Sequence, residues 1–144
     1  MLVQHPAAAN RAIEHALDLA STFDADLHVL YVVDTRRYGE SALAELETAV
    51  ADLKEQGEGI LRNTEAQADI DMTTEIRSGR PHDQIGEYAE EIHADLLVIG
   101  NRCLGAGGEI GSTAERVVRY VDRPVITARI SDYYESITIL DSRT

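Results

Sequence analysis

The chain has 144 residues, enough for one domain with a real core, and sets 26 acidic against 13 basic side chains for a formal charge of −13. Lys54 is its only lysine; such a surface repels nucleic acid and anionic membrane and resembles that of proteins from salt-loving organisms, where salt screens the self-repulsion. No apolar run approaches the roughly 18 residues of a membrane span, and the start lacks the basic and apolar regions of a leader, so a cytoplasmic protein is expected.

In chain order the pattern alternates helix and strand. Leu2-Val3 is an apolar stub, too short for an ordinary strand. Residues 10–23 carry Ile13, Ala16, Leu17 and Ala20 on one helical face. Asp24, Ala25 and Asp26 make a turn, and residues 27–33 read as a strand buried on both faces because they are nearly all apolar. A long helix is predicted over 41–67, with Leu43, Leu46, Val50 and Leu53 as its stripe and Gly57 and Gly59 weakening its far half. Residues 70–76 alternate as Ile70, Met72, Thr74 and Ile76, which suits a strand near the sheet edge.

Gly79 and Pro81 break that strand and open a helix to residue 92, with Ile85, Tyr88, Ala89 and Ile92 inward. Residues 96–99 form the next strand, and the helix over 113–121 turns Ala114, Val117, Val118 and Val121 to the core. Residues 124–128 make a last strand. The residues therefore divide into a domain at 1–130 and a tail at 131–144, whose Ile137-Thr138-Ile139-Leu140 suits an extra strand or a dimer arm. Repeated strand–helix–strand units predict a three-layer α/β/α fold around a parallel sheet.

The most informative stretch joins the strand at 96–99 to the helix at 113–121. The strand ends at Gly100, a loop rich in glycine follows (Gly105, Gly107, Gly108), and the helix opens on Gly111-Ser112-Thr113. Free backbone N–H groups and the positive end of a helix beside a loop with few side chains suit an anion, nucleotide phosphate first. Ser112 has a structural role open to it as well, because Ser112 and Glu115 form a capping box. Cys103 sits near that helix start, where a thiol pKa falls, but it has no resolving partner. The five histidines show no metal-ligand spacing, and no nucleophile–base constellation stands out.

With these elements in place the chain resembles the universal stress protein family. The resemblance runs from Ala8 to Arg129 and rests on the order of several pieces: residues 11–20, residues 27–34, Gly79-Arg80-Pro81 with Ile85, Leu97-Val98-Ile99-Gly100, residues 111–118, and Arg123-Pro124-Val125-Ile126-Thr127. It implies a five-stranded parallel sheet of order 3-2-1-4-5, here with strand 1 truncated to Leu2-Val3, and a homodimer through the last strand and tail. Some members hold ATP through Gly-x2-Gly-x9-Gly-(Ser/Thr) and an aspartate just after strand one; others lack the signature and do not bind ATP.

By that resemblance Gly100, Gly111 and Ser112 match the signature, Asn101 and Thr113 adjoin it, and Val32 and Val33 fall where the adenine pocket is lined. ATP, with Mg2+, is the implied ligand. Three departures weaken it. Cys103 replaces the second glycine, only seven residues (104–110) separate it from Gly111, and Gln4-His5-Pro6 carries no aspartate. A truncated start would leave a short strand in the middle of the sheet, its pairing rebuilt by Gln4 and His5 or supplied by sequence upstream. The expected function is a dimeric stress-adaptation protein with weak or lost nucleotide binding, acting through a protein partner. An ATP-binding regulator built on the 100–112 loop and a weak ATP hydrolase are the alternatives.

Overall fold

A computed structural model describes residues 6–35, 43–102, 112–130 and 137–141. Helices α1 (Pro6–Phe23), α2 (Leu43–Gln67), α3 (Pro81–Glu91) and α4 (Ser112–Tyr120) alternate with strands β1 (Leu27–Asp34), β2 (Met72–Gly79), β3 (Leu96–Arg102) and β4 (Val125–Ile130), and β5 (Ile137–Asp141) follows. Helices α1 and α3 end alike, with Asp24 and His93 in the left-handed region. The Ala25 N–H then donates to the Ala20 carbonyl and that of Ala94 to Ala89, which satisfies carbonyls at each helix end.

The sheet order is β2-β1-β5-β3-β4. β1 is parallel to β2 and β3 is parallel to β4, as the alternating pattern requires. The middle differs from expectation. β5 lies between β1 and β3 and runs antiparallel to both, so the sheet is mixed and not wholly parallel. Leu27 to Tyr31 pair with Asp141 to Ile137 on one side, and Leu96 to Ile99 pair with Asp141 to Thr138 on the other. The physical reason is backbone demand: β1 and β3 sit between two apolar layers, where an unpaired N–H or C=O is costly. The tail supplies a strand of the right length. Leu2-Val3, expected as the first strand, lies outside the described residues.

One layer packs Ile13, Ala16 and Ala20 of α1 and Leu61 of α2 against Val29, Tyr31, Val33 and Val98. The other packs Ile85, Tyr88 and Ala89 of α3 and Val117 of α4 against Leu30, Val32, Leu97 and Ile99. Val118, expected inward, is 52% exposed, because the short α4 buries only Ala114 and Val117 fully.

Gly57 and Gly59 look equivalent in the sequence and differ in place. A Cβ on Gly57 would lie 2.9 Å from Cδ1 of Tyr31, a fully buried ring that cannot yield, whereas Gly59 faces open space. Gly57→Ala is therefore expected to destabilise the fold by about 1–3 kcal/mol through overpacking, despite better helix propensity. Gly59→Ala is expected to stabilise it by about 0.5–1 kcal/mol. Urea unfolding of both variants checks the pair, and equal shifts of one sign would refute the close approach.

Candidate functional site

The chain exits β1 toward α2 on one face and exits β3 toward α4 on the other, the arrangement that leaves a crevice beyond the carboxyl ends of such strands. The strand lengths sharpen it. Registered pairing to β5 stops at Tyr31 on β1 and at Ile99 on β3. Val32, Val33 and Asp34 on one side and Gly100, Asn101 and Arg102 on the other run past it, which among the described residues leaves a strand-end notch; residues 131–136, which lead into Ile137 at this end, lie outside the described residues.

Several sequence-selected residues lie on the elements that border this end. Gly100 and Asn101 lie inside β3, which runs on to Arg102 past the expected stop at Gly100, and they pair with Ala128 and Arg129. Ser112 and Thr113 open α4, whose N-terminal dipole favours negative charge. Val32 and Val33 close β1 but pack into opposite core layers, 6% and 2% exposed, so both are held by the protein itself. Gly111, Cys103 and the loop glycines lie outside the described residues. Among the described residues no group of three His, Cys, Asp or Glu side chains could hold a metal ion, and no helix is long and apolar enough to cross a membrane.

A groove of about 440 Å³ runs between α3 and α4, lined by His82, Glu87, Glu90, Tyr120 and Asp122 among others. Its carboxylates oppose phosphate, which leaves the strand-end notch as the better place for an anion.

A polar network that the sequence did not reveal lies where α3 crosses β1 and β2. The Tyr88 hydroxyl and Nδ1 of His28 are 2.8 Å apart, the hydroxyl donating when the imidazole proton sits on Nε2. The Arg77 guanidinium stands 4.8 Å from the centre of the Tyr88 ring and binds Glu91 through two hydrogen bonds of 3.0 and 2.5 Å. Burial, and then the charge of Glu75, push the Tyr88 hydroxyl up. The Arg77 hydrogen bonds hold the Glu91 carboxyl below its usual range. Only the tertiary fold joins these elements, and no motif spacing marks them.

The sign of the pH effect follows from Glu91. A carboxyl depressed in the folded state adds stability above its unfolded pKa and loses it as the pH falls through the folded value. Glu91→Gln should melt below the parent near neutral pH, and the gap should narrow as the pH falls through the depressed folded value, below the ordinary glutamate range. Thermal melts from neutral pH into acid test it; a gap that persists in acid would assign the effect to packing.

The universal stress protein family model matches residues 2–129. Universal stress protein MJ0531 of Methanocaldococcus jannaschii is 34% identical over 126 residues, covering 82% of this chain and 73% of that protein. The structure of universal stress protein UspA from Lactobacillus plantarum superposes with a TM-score of 0.65 at 29% identity, over 85% of this chain and 90% of that one. A universal stress protein solved in complex with cAMP matches with a TM-score of 0.56 at 25% identity, over 86% of this chain and 89% of that one. By the matched residues, the helix order and the α/β fold, this chain belongs to the universal stress protein family.

Proposed function

We propose that this chain is a homodimeric stress-adaptation protein of the cytoplasm whose nucleotide site is weak or lost, and that it acts through a protein partner. The observation that carries this reading is the middle strand. ATP-holding relatives place an aspartate just after strand one, whereas here the central position belongs to β5, which runs the other way and brings no strand exit to the crevice. A buried carboxylate contact to base or ribose is worth ~1–3 kcal/mol, so its loss weakens binding on the order of ten- to a hundredfold.

The alternative is an ATP-binding regulator, supported by Gly100 and the start of α4 at the notch and by the relative solved with cAMP. In that reading Gly100, Asn101, Gly111, Ser112 and Thr113 hold the phosphates, and the base finds walls other than Val32 and Val33, which are buried in opposite core layers. Mg2+ would offset phosphate charge against the acidic surface. Hydrolysis has the least support, because no side chain has been assigned as a base or to orient water.

For the dimer, β4 ends the sheet and its Ile126 is 39% exposed, features that suit edge pairing between copies.

Calorimetric titration with ATP and with cAMP, in molar salt with and without Mg2+, decides between the first two readings. The expected result is no heat up to about a millimolar. A micromolar Kd would overturn weak binding in favour of the regulator. Separately, Ile126→Lys is expected to convert a sedimenting dimer to a monomer with unchanged circular dichroism; a variant still dimeric would move the interface elsewhere.

A further inference from the structure

We propose that the central slot of this sheet is a strand-exchange site, through which two copies of the chain trade their β5 strands. The inference is independent of the nucleotide reading and of the β4 edge. It starts from connectivity: among the described strands, β1 and β3 meet only through β5, which makes five registered pairs with one and four with the other. Withdrawing β5 leaves the β1–β2 and β3–β4 ladders intact.

Part of the acceptor is built by elements other than its occupant, although α1 also touches β5. On one face α1 packs on β3, β4 and β1; on the other α3 packs on β1, β2 and α4. α1 therefore touches both walls of the slot on one face, and α3 with α4 links them on the other. Those walls hold five of the six largest fully buried side chains among the described residues, Val29, Leu30, Tyr31, Leu97 and Ile99. Backbone N–H and C=O groups facing an empty slot would sit unpaired in apolar surroundings, which is costly and gives the slot a strong demand for an extended segment.

Any β5 of this sequence meets that demand equally. β5 follows every other strand in the chain, and the residues numbered 131–136 join it to β4. A strand from a second copy makes the same ladder with the same register, so the self-filled and exchanged forms differ little in contacts. Protein concentration then sets their ratio. The occupant committed to here is β5 of a second copy.

Cross-linking between chains tests this directly. In a Cys103→Ser background, Val29→Cys and Ile139→Cys are made in separate chains; these positions are register partners. Opposed residues of an antiparallel pair have Cα atoms about 4.5–5.5 Å apart, within reach of a disulfide. The two chains are mixed at high concentration, incubated and oxidised. The expected result is a covalent heterodimer whose yield rises with concentration. A double variant with both cysteines should close as monomer when dilute and as dimer when concentrated. Leu97→Cys with Leu140→Cys repeats the test on the other wall, should the first pair fail to fold.

Mixed chains that never cross-link, beside a double variant that closes only within itself, would overturn exchange. So would a double variant that never closes, since β5 would then not fill the slot. A dimer seen in sedimentation with only intrachain cross-links would keep the β4-edge dimer and remove exchange.

Discussion

Backbone pairing in the middle of the sheet is the constraint on which the other features rest. β1 and β3 lie between two apolar layers, with Leu30, Val29, Leu97 and Ile99 wholly removed from solvent. Water cannot serve their peptide groups, so a strand must. β5 supplies it, and the two parallel pairs become one sheet. Without that strand α1 and α3 would cover two separate ribbons whose inner edges carry unmet hydrogen bonds. The packing of the helices and the closing of the sheet are thus one event viewed from two directions.

The same strand shapes the end where a ligand would sit. Because β5 is short and antiparallel, its pairing gives out before β1 and β3 do. Among the described residues the ends of β1 and β3 outrun it, and α4 is the helix that follows β3, a setting that favours an anion locally within a chain whose charge is −13. Local dipoles and global charge therefore pull in opposite directions here. A site under that tension binds only as well as its nearest donors allow.

Much of the fold was legible because its signals are local. β1 reads as buried on both faces because nearly every residue from Leu27 to Val33 is apolar, and β2 reads as an edge because Met72, Thr74 and Ile76 alternate. The stripes of α1 and α3 fell inward as spaced, while Val118 did not, since period alone does not say how wide a face the neighbours cover. That 137–140 forms a strand was readable from its composition. Its seat was not, because the choice of partner depends on edges far away in the chain. The same distance hid the contact of Gly57 with Tyr31 and the joining of His28, Arg77, Tyr88 and Glu91. Of the candidate site, the places of Ser112 and Thr113 at the helix start followed from the glycine pattern, while β3 runs through Gly100 to Arg102 and does not stop there. The packing of Val32 and Val33 into two different layers did not.

The position of β5 also orders events in time. Its partners on β1 belong to the first described strand of the sheet and β5 to the last, so among the strand pairings this one closes the longest loop. Contacts of such separation slow folding, because the chain must give up its freedom before the ladder rewards it. The outer ribbons β1–β2 and β3–β4 close shorter loops than the middle of the sheet does. Until the tail is in place, the inner edges of β1 and β3, which carry some of the most apolar surface of the chain, have no partner strand among those described.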